Sequence, residues 1–566
     1  MMKQWKVLQV IKGKQKAGKI IKVLLKNRNL VLKKQIDEFL HPLRPSVLTA
    51  AALGISKREL NKAIKRIKKA VDAKEQIIIY GDYDADGICG TAILWEAIDK
   101  MGGKSLPYIP KRFEEGYGLS IQGIENARCQ MPDAKLIITV DNGITANKAI
   151  DYAQKKGIEV IITDHHLLPE KLPKALATVH TTELSGSGVA WFLARELRHH
   201  HGGEHGLELA AMGTIADVMS LTGVNKSLVK YGLKRLSKTN RIGLLALFRE
   251  AGLNRGQIEA WQVGFIITPW LNAAGRLADA MDSLRLLCTR DQVRAKSLAK
   301  KLSEGNKKRQ RLNGAAFIDA KACFSSPYQK LLFVSSDSYH EGIIGLVAGN
   351  LTREFYRPAV VISIGKEFSK GSARSIKGFN VVKAIRRCEK FLVDCGGHPM
   401  AAGFTVKTAN LEKLKKCLIK IAEKELDEKK LTPVLTIDCE LNLSHLIWKL
   451  YEGIERFAPF GMANPKPVFC SRGLRIVEMR VVGNNGKHLK IKLDDPQTKK
   501  VEKVPAFEEI SIFDGIGFGM ADFANQIKRG DLVDVAYTLE KNVWNNEERL
   551  ELKIKDIIIS KTDFLA

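Results

Sequence analysis

Between Ser56 and about Glu75, apolar residues recur at helical spacing among lysines, at Leu60, Ala63, Ile64, Ile67, Ala70 and Val71. An unbroken apolar run, Ile77-Ile78-Ile79-Tyr80, follows. The first pattern predicts an amphipathic helix and the second a buried strand. Strand-like runs return at Leu136–Val140 and Val160–Thr163, separated by the helical stretch ANKAIDYAQKKG. Strands alternating with helices form parallel sheets with crossover connections, so the first domain is expected to be α/β. Helical patterns dominate from about Val189 to Ala320 and end in the charged stretch Arg294–Arg311, which predicts a long connecting helix. A second α/β unit opens at Leu331–Ser335, runs through a helix-like Glu341–Tyr356 and a strand at Ala359–Ile364, reaches GGHPMAAGF at Gly396–Phe404, and closes with a helix at Leu411–Glu428. After Pro433 short alternating strands with turn signals predict a small β-barrel.

These patterns divide the chain into five parts. Residues 1–55 form a basic segment expected to pack on the first α/β domain, which spans 56–290. A connecting helix at 291–325, a second α/β domain at 326–432 and the barrel at 433–566 follow. A chain of 566 residues supports several cores. No apolar run approaches the roughly 18 residues of a membrane span, and lysines interrupt the N-terminal apolar stretches where a signal peptide needs a continuous core. The expectation is a soluble, cytoplasmic protein with no membrane partner. Nine cysteines without a C-x-x-C pair suit reduced thiols better than disulfides or a zinc ribbon.

Charge changes the picture more. Lys and Arg number 91 against 62 Asp and Glu, a net +29 with a pI near 9.6, which points to a polyanionic partner and first to nucleic acid. Charge runs such as Lys14–Lys34 and Lys413–Lys430 read equally well as solvated faces, so charge indicates a partner class and not a site.

Four motifs carry candidate chemistry: GDYDADG at Gly81–Gly87, TVDNG at Thr139–Gly143, TDHH at Thr163–His166 and GTIAD at Gly213–Asp217. Each follows or lies in an apolar stretch, and ligands of open parallel sheets collect beyond the carboxyl ends of the strands, so the motifs are expected to share one edge. The run Asp82, Asp84, Asp86, Gly87 superficially copies a calcium loop, but the twelfth position holds Ile93 where that loop needs a bidentate acid. In an extended lead-in the three aspartates would share one face. Asp141, at a strand end, is a candidate bridge between two metals, with a helix N-cap as its plainer role. Asp217 in AAMGTIADVMSL needs a metal or cation to offset its burial. Of the adjacent His165 and His166, one can ligate while the other donates to a phosphoryl oxygen. Carboxylates with one imidazole suit Mn²⁺ or Mg²⁺, and two such ions support phosphoester hydrolysis.

These motifs, in this order, resemble the DHH phosphoesterase superfamily, and Gly396-Gly397-His398 with SYHEGIIGLVAGNL and GSARS resembles its associated domain. PKRFEEGYGL, LNAAGRL, NKKRQ and FAPFGMANPKPVF are similar to the bacterial single-strand-specific DNA exonucleases of that superfamily. The resemblance implies that Asp82, Asp84, Asp86, Asp141, His165 and Asp217 hold two divalent cations, that His166 assists at the phosphate, and that Asp164 orients a histidine. It also implies a DNA path lined by Arg112, Asn272, Arg276, Arg309, Gln310, Ser372, Arg374, Gly396, Gly397 and His398. The barrel would match an oligonucleotide-binding (OB-like) domain, with Phe513, Phe518 and Trp544 as candidate stacking platforms. The implied activity is 5′ to 3′ exonuclease action on single-stranded DNA in repair and recombination, with a helicase and a single-strand-binding protein as candidate partners and a monomer as the simplest state. Trp270, Tyr339 and Glu341 depart from the family pattern at the substrate grip. Two alternatives remain open: a hydrolase of short oligonucleotides or signalling dinucleotides, which would need neither the barrel nor the charge, and a non-catalytic DNA-binding replication subunit, which would not retain the full ligand set.

Overall fold

The computed structural model describes residues 3–198, 204–324, 329–483, 485–496, 512–545 and 547–560. The chain divides into one unit of residues 42–431 with 461–463, and another of 1–41, 432–460 and 464–566.

In the first unit, a sheet of five parallel strands runs in the order Lys104–Tyr108, Gln76–Tyr80, Ala134–Val140, Glu159–Asp164, Ala177–His180. Successive side chains of Gln76–Tyr80 enter opposite layers: Ile77 and Ile79 join one core, and Ile78 and Tyr80 the other. A strand covered on both faces has no polar side to present, which is why it reads as a continuous apolar run. Helices Lys57–Asp72, Ala85–Lys100, Gly186–Leu197 and Leu207–Ala216 cover the first face, and Ile121–Gln130 and Asn147–Lys155 the second.

The 31-residue helix Gln292–Ala322 starts at an Asp291 cap. Its Ala295, Leu298, Ala299 and Leu302 belong to the core of the first domain, whereas Ala316 and Ala320 pack with helix Ile344–Phe355 of the second. The expected boundary at residue 325 lies outside the described residues. The second sheet runs in the order Leu392–His398, Ala401–Lys407, Phe368–Arg374, Ala359–Ser363, Leu332–Ser336, antiparallel except for its last pair. A disulfide joins Cys388 to Cys417, contrary to the expectation of reduced thiols throughout; the two residues lie in segments that pack side by side in the same core.

In the second unit, strands Phe469–Val482, His488–Asp494, Ile512–Gly517, Glu547–Ile559 and Leu532–Trp544 pair in that order and close when the last pairs with the first. This is a five-stranded barrel that abolishes its edges by closure. Of the N-terminal segment 1–55, residues 42–55 group with the first unit, where Leu48, Leu53 and Ile55 enter the core, whereas residues 1–41 group with this one. The physical reason is a strand, Gln4–Val7, paired in parallel with Val434–Ile437, and a helix, Ala17–Asn27, whose Ile20, Leu24 and Leu25 enter the barrel core. Phe513 is core, whereas Phe518 and Trp544 are exposed. Lys553 Nζ lies 5.4 Å over the Phe518 ring. Among the described residues no helix is long and apolar enough to cross a membrane.

Candidate metal centre

Three strands end at one edge of the first sheet, and each delivers a chemical group there. After Tyr80 the chain turns through Gly81 and Asp82, and helix Ala85–Lys100 begins at once with Asp84 as its N-cap. Asp84 Oδ1 accepts the amides of Asp86 at 2.9 Å and Gly87 at 3.1 Å, satisfying donors that the first helical turn leaves open. Asp86 therefore lies in the helix and Asp82 in the loop before it, so the three aspartates are not alternate residues of an extended run. The strand Ala134–Val140 delivers Asp141, held at φ 64°, a left-handed conformation uncommon outside glycine and typical of functional strain. Strand Glu159–Asp164 delivers Asp164, His165 and His166. Asp217 caps the C-terminus of helix Leu207–Ala216.

The potential ligand atoms of Asp82, Asp84 and Asp141 lie within 4.8 Å of one another, as do those of Asp86, His165 and Asp217, and those of Asp141, His165 and His166. Asp141 and His165 each belong to two of these groups. Asp141 Oδ1 is 3.1 Å from His165 Nε2 yet not aligned to accept a hydrogen bond from it, and Asp217 Oδ2 is 3.7 Å from the same nitrogen. Asp82 Oδ1, Asp86 Oδ2 and Asp141 Oδ1 are all buried without a hydrogen-bond partner. Buried anionic oxygens without donors, aimed at common points, fit hard divalent cations.

The electrostatics agree. Burial first, and then the neighbouring carboxylates, push the Asp82 and Asp141 carboxyls well above the usual range. Asp84 is raised for the same reasons, and Asp217 is pushed up to about 8. Asp164 behaves oppositely. Burial would raise it, but the His166 hydrogen bond and charge and the backbone amides outweigh burial and hold it below its ordinary value. Its Oδ1 contacts His166 Nδ1 at 2.7 Å and its Oδ2 accepts the Ile144 amide at 2.9 Å. Burial lowers the His166 imidazole, yet Asp164 raises it to a net value above the usual one. The far nitrogen, Nε2, meets the Tyr117 hydroxyl at 3.1 Å. Asp164 thus orients His166, and His165 stays below its usual range through burial.

Motif reading misses Tyr117, Gly186 and Ser187. The Ser187 amide donates to Asp86 Oδ1 at 3.1 Å. A Cβ on Gly186 would collide with the Asp141 side chain, and one on Gly213 would collide with Asp86 Oδ1. Gly186→Ala should therefore displace Asp141 and lower the hydrolytic rate by roughly 10- to 100-fold, with unchanged far-ultraviolet circular dichroism. A rate within twofold of the parent would show that this close packing is dispensable.

The arginines expected along the substrate path converge in the same unit. Burial, followed by the charges of Arg112, Arg309 and Arg374, brings the Arg276 guanidinium down to about 10. Among the described residues none of these four has a carboxylate at ion-pair distance. Arg112 lies 5.1 Å over the Tyr83 ring, Arg276 donates to the Gly342 carbonyl at 3.2 Å, and Arg374 donates to Ser372 Oγ at 3.2 Å. Arg309 Nε donates to Asn306 Oδ1 at 3.1 Å. Asn272 Oδ1 accepts the Ala85 amide at 2.7 Å, so that oxygen positions the helix bearing Asp86. Gln310 is exposed, and nothing among the described residues ties it to the arginines. In the second sheet His398, Ala401 and Arg374 form one cross-strand row, and Gly396, Gly403 and Ser372 another. The rows place Gly396 and His398 on the same face as Ser372 and Arg374, with an exposed strip of small residues between them. Gly397, at φ 133°, lies between the two rows.

A parallel sheet that gathers these carboxylates and a histidine pair at its carboxyl edge, joined by a long helix to a second domain whose Arg374 adds to the arginines of the first domain and of the helix, has the architecture of the DHH phosphoesterases. Residues 76–219 match the DHH family N-terminal domain, 328–424 the DHHA1 domain and 437–556 the RecJ OB domain. The chain belongs to the RecJ family. It is 35% identical over 515 residues to a Bacillus subtilis protein named single-stranded-DNA-specific exonuclease RecJ, covering 89% of this chain but only 64% of that protein. It is 30% identical to the protein of the same name from Dickeya dadantii, covering 88% of this chain and 90% of that one. The crystal structure of Thermus thermophilus RecJ with Mn²⁺ superposes with a TM-score of 0.81 at 28% identity, covering 99% of this chain and 80% of that one. The Mg²⁺ complex of the same protein gives a TM-score of 0.74 at 27% identity, covering 98% and 78% respectively.

Proposed function

We propose that this chain is a single-stranded-DNA-specific exonuclease that hydrolyses phosphodiesters with two divalent cations, Mn²⁺ or Mg²⁺, and releases 5′-mononucleotides in the 5′ to 3′ direction. The observation that carries the reading is the pairing, in one unit, of partnerless buried carboxylate oxygens with arginines that lack acidic partners. Asp82, Asp84 and Asp141 would hold one ion, and Asp86, His165, Asp217 and Asp141 the other. When bound, the ions supply Lewis-acid activation of water and neutralise charge that develops during in-line displacement. His166, oriented by Asp164 and shifted by it towards its charged form, would donate from Nε2 to a phosphoryl oxygen. Arg112, Arg276, Arg309 and Arg374 grip the backbone, with Ser372, Gly396, Gly397 and His398 forming a flat bed that admits it closely. The barrel, with Phe518 and Trp544 exposed, offers stacking surfaces to bases. A cytoplasmic monomer working beside a helicase and a single-strand-binding protein in repair and recombination fits this activity.

The test is a 5′-phosphorylated oligonucleotide labelled at its 3′ end, offered single-stranded or as blunt duplex with Mn²⁺. Release of 5′-mononucleotides and progressive shortening of the labelled single strand alone are expected. Cleavage of di- to pentanucleotides only would favour a short-oligonucleotide hydrolase, and binding without cleavage a non-catalytic subunit. Arg374→Ala should weaken single-strand binding across sequences and lower the slope of log affinity against log salt by about 1. An unchanged slope would remove Arg374 from the path.

A further inference from the structure

The two helices that carry metal-facing carboxylates share a second recess at their other ends. Helix Ala85–Lys100 begins with Asp86 in its first turn and ends with Glu96 and Lys100 on the recess wall, and helix Leu207–Ala216 begins with Glu208 there and ends at Asp217. At about 1.5 Å rise per residue, Lys100 lies roughly 21 Å along the axis from Asp86, so the recess is separate from the metal centre. It encloses about 580 Å³, within the roughly 300–1,000 Å³ of small-molecule sites.

Its floor is a closed ionic lock. Arg241 donates to both oxygens of Glu96, at 2.5 and 2.8 Å, and to Glu208 at 2.7 Å. Lys100 contacts the His205 ring, whose neutral form alone can accept from an ammonium group. Burial, opposed by the charge of Glu96 and helped by those of Lys100, Arg241 and Arg198, takes His205 down to about 4. Glu96 and Glu208 are engaged with Arg241, Glu204 pairs with Arg235 at 3.6 Å, and the rim is left cationic. Arg44, Lys234 and Lys238 are exposed and have no carboxylate at ion-pair distance among the described residues, and Arg290 reaches only Asp99, at 3.7 Å. Tyr231, Ile242 and Leu287 supply the apolar part of the lining. Apolar side chains in the lining together with unpaired cations match a ligand with a ring at one end and several negative charges at the other.

We propose that this recess binds a nucleoside phosphate, with its base against Tyr231, Ile242 and Leu287 and its phosphates at Arg44, Lys234 and Lys238. Isothermal titration of the full chain in EDTA, with dATP, dAMP and inorganic phosphate in turn, tests it, since chelation removes ion-mediated phosphate binding at the metal centre. One dATP per chain is expected, bound more tightly than dAMP and far more tightly than inorganic phosphate. The double variant Lys234→Glu, Lys238→Glu should weaken dATP by about tenfold or more, because each reversal turns an attraction into a repulsion. Both lysines are exposed, so the fold and the nuclease rate should persist, and a control reversal at exposed Lys148 and Lys155 should leave dATP binding intact. The absence of binding up to about 5 mM dATP, binding untouched by the Lys234 and Lys238 reversal, or equal affinity for inorganic phosphate would each overturn the assignment. Loss of nuclease activity with the nucleotide site intact would instead bear on the proposed catalytic function alone.

Discussion

Asp141→Ala should reduce hydrolysis of single-stranded DNA by about 10³-fold or more while single-strand binding stays near the parent value. Asp141 is the carboxylate common to two of the three ligand groups, and its Oδ1 is buried with no hydrogen-bond donor. Its loss would open both ion sites at once, whereas loss of Asp217 touches one. The arginines of the substrate path lie on other segments and do not depend on it, which is why binding and cleavage should separate. The decisive measurement is single-turnover cleavage beside a binding isotherm on the same oligonucleotide. A variant that cleaves within tenfold of the parent would mean that the two ion sites do not share this residue.

Ion-free protein should lose thermal stability as pH rises from about 5 to 8.5, and Mn²⁺ should restore it most strongly at the alkaline end. The sign follows from the folded-state shifts. Asp82, Asp84, Asp141 and Asp217 all have carboxyls raised above the ordinary value of 3.8, Asp217 to about 8. A raised carboxyl stabilises the fold fully below its unfolded value and surrenders that contribution as pH climbs through the folded one. His166, also raised, adds to the trend, and His165, held low, opposes it as the imidazoles titrate. Bound Mn²⁺ requires the carboxylates ionised, so it releases protons on binding and gains affinity with pH. A rise in Tm of roughly 5 °C with saturating Mn²⁺ at pH 8.5, shrinking towards pH 5.5, is expected. Asp217→Asn should flatten the ion-free slope. A Tm in EDTA that increases across this range would contradict the electrostatic account of the centre.

The catalytic edge is legible in sequence because covered parallel strands appear as apolar runs, and the motif following each run must emerge at the same side. Asp82, Asp141 and His165 could be placed together on that reasoning, whereas Asp217 ends a helix and joins them through packing. The local form of the aspartate triplet could not, since D-x-D-x-D suits an extended segment as well as a capped helix. The Asp84 cap decides between them. Gly186 and Ser187 stay silent because GSGVAWFLAREL looks like ordinary buried helix, and their importance lies in how closely their backbone approaches Asp141 and Asp86. The N-terminal strand pairs with a segment about 430 positions away, a contact that no local pattern announces. Phe513 lies inside strand Ile512–Gly517 and faces the core, whereas Phe518 falls just past the strand's end and is exposed.

Helix Gln292–Ala322 is anchored at both ends in different cores, with Arg309 between the anchors. Spreading the metal edge from the glycine-rich bed would require this one beam to bend, and its weakest points are Gly305 and Gly314, where the backbone holds helix less firmly. A strut of this kind sets a gauge. On the proposed function, the spacing of the two domains is then a property of the scaffold, present before any strand arrives, and discrimination against a duplex would come from calibre rather than from a gate that senses it and shuts.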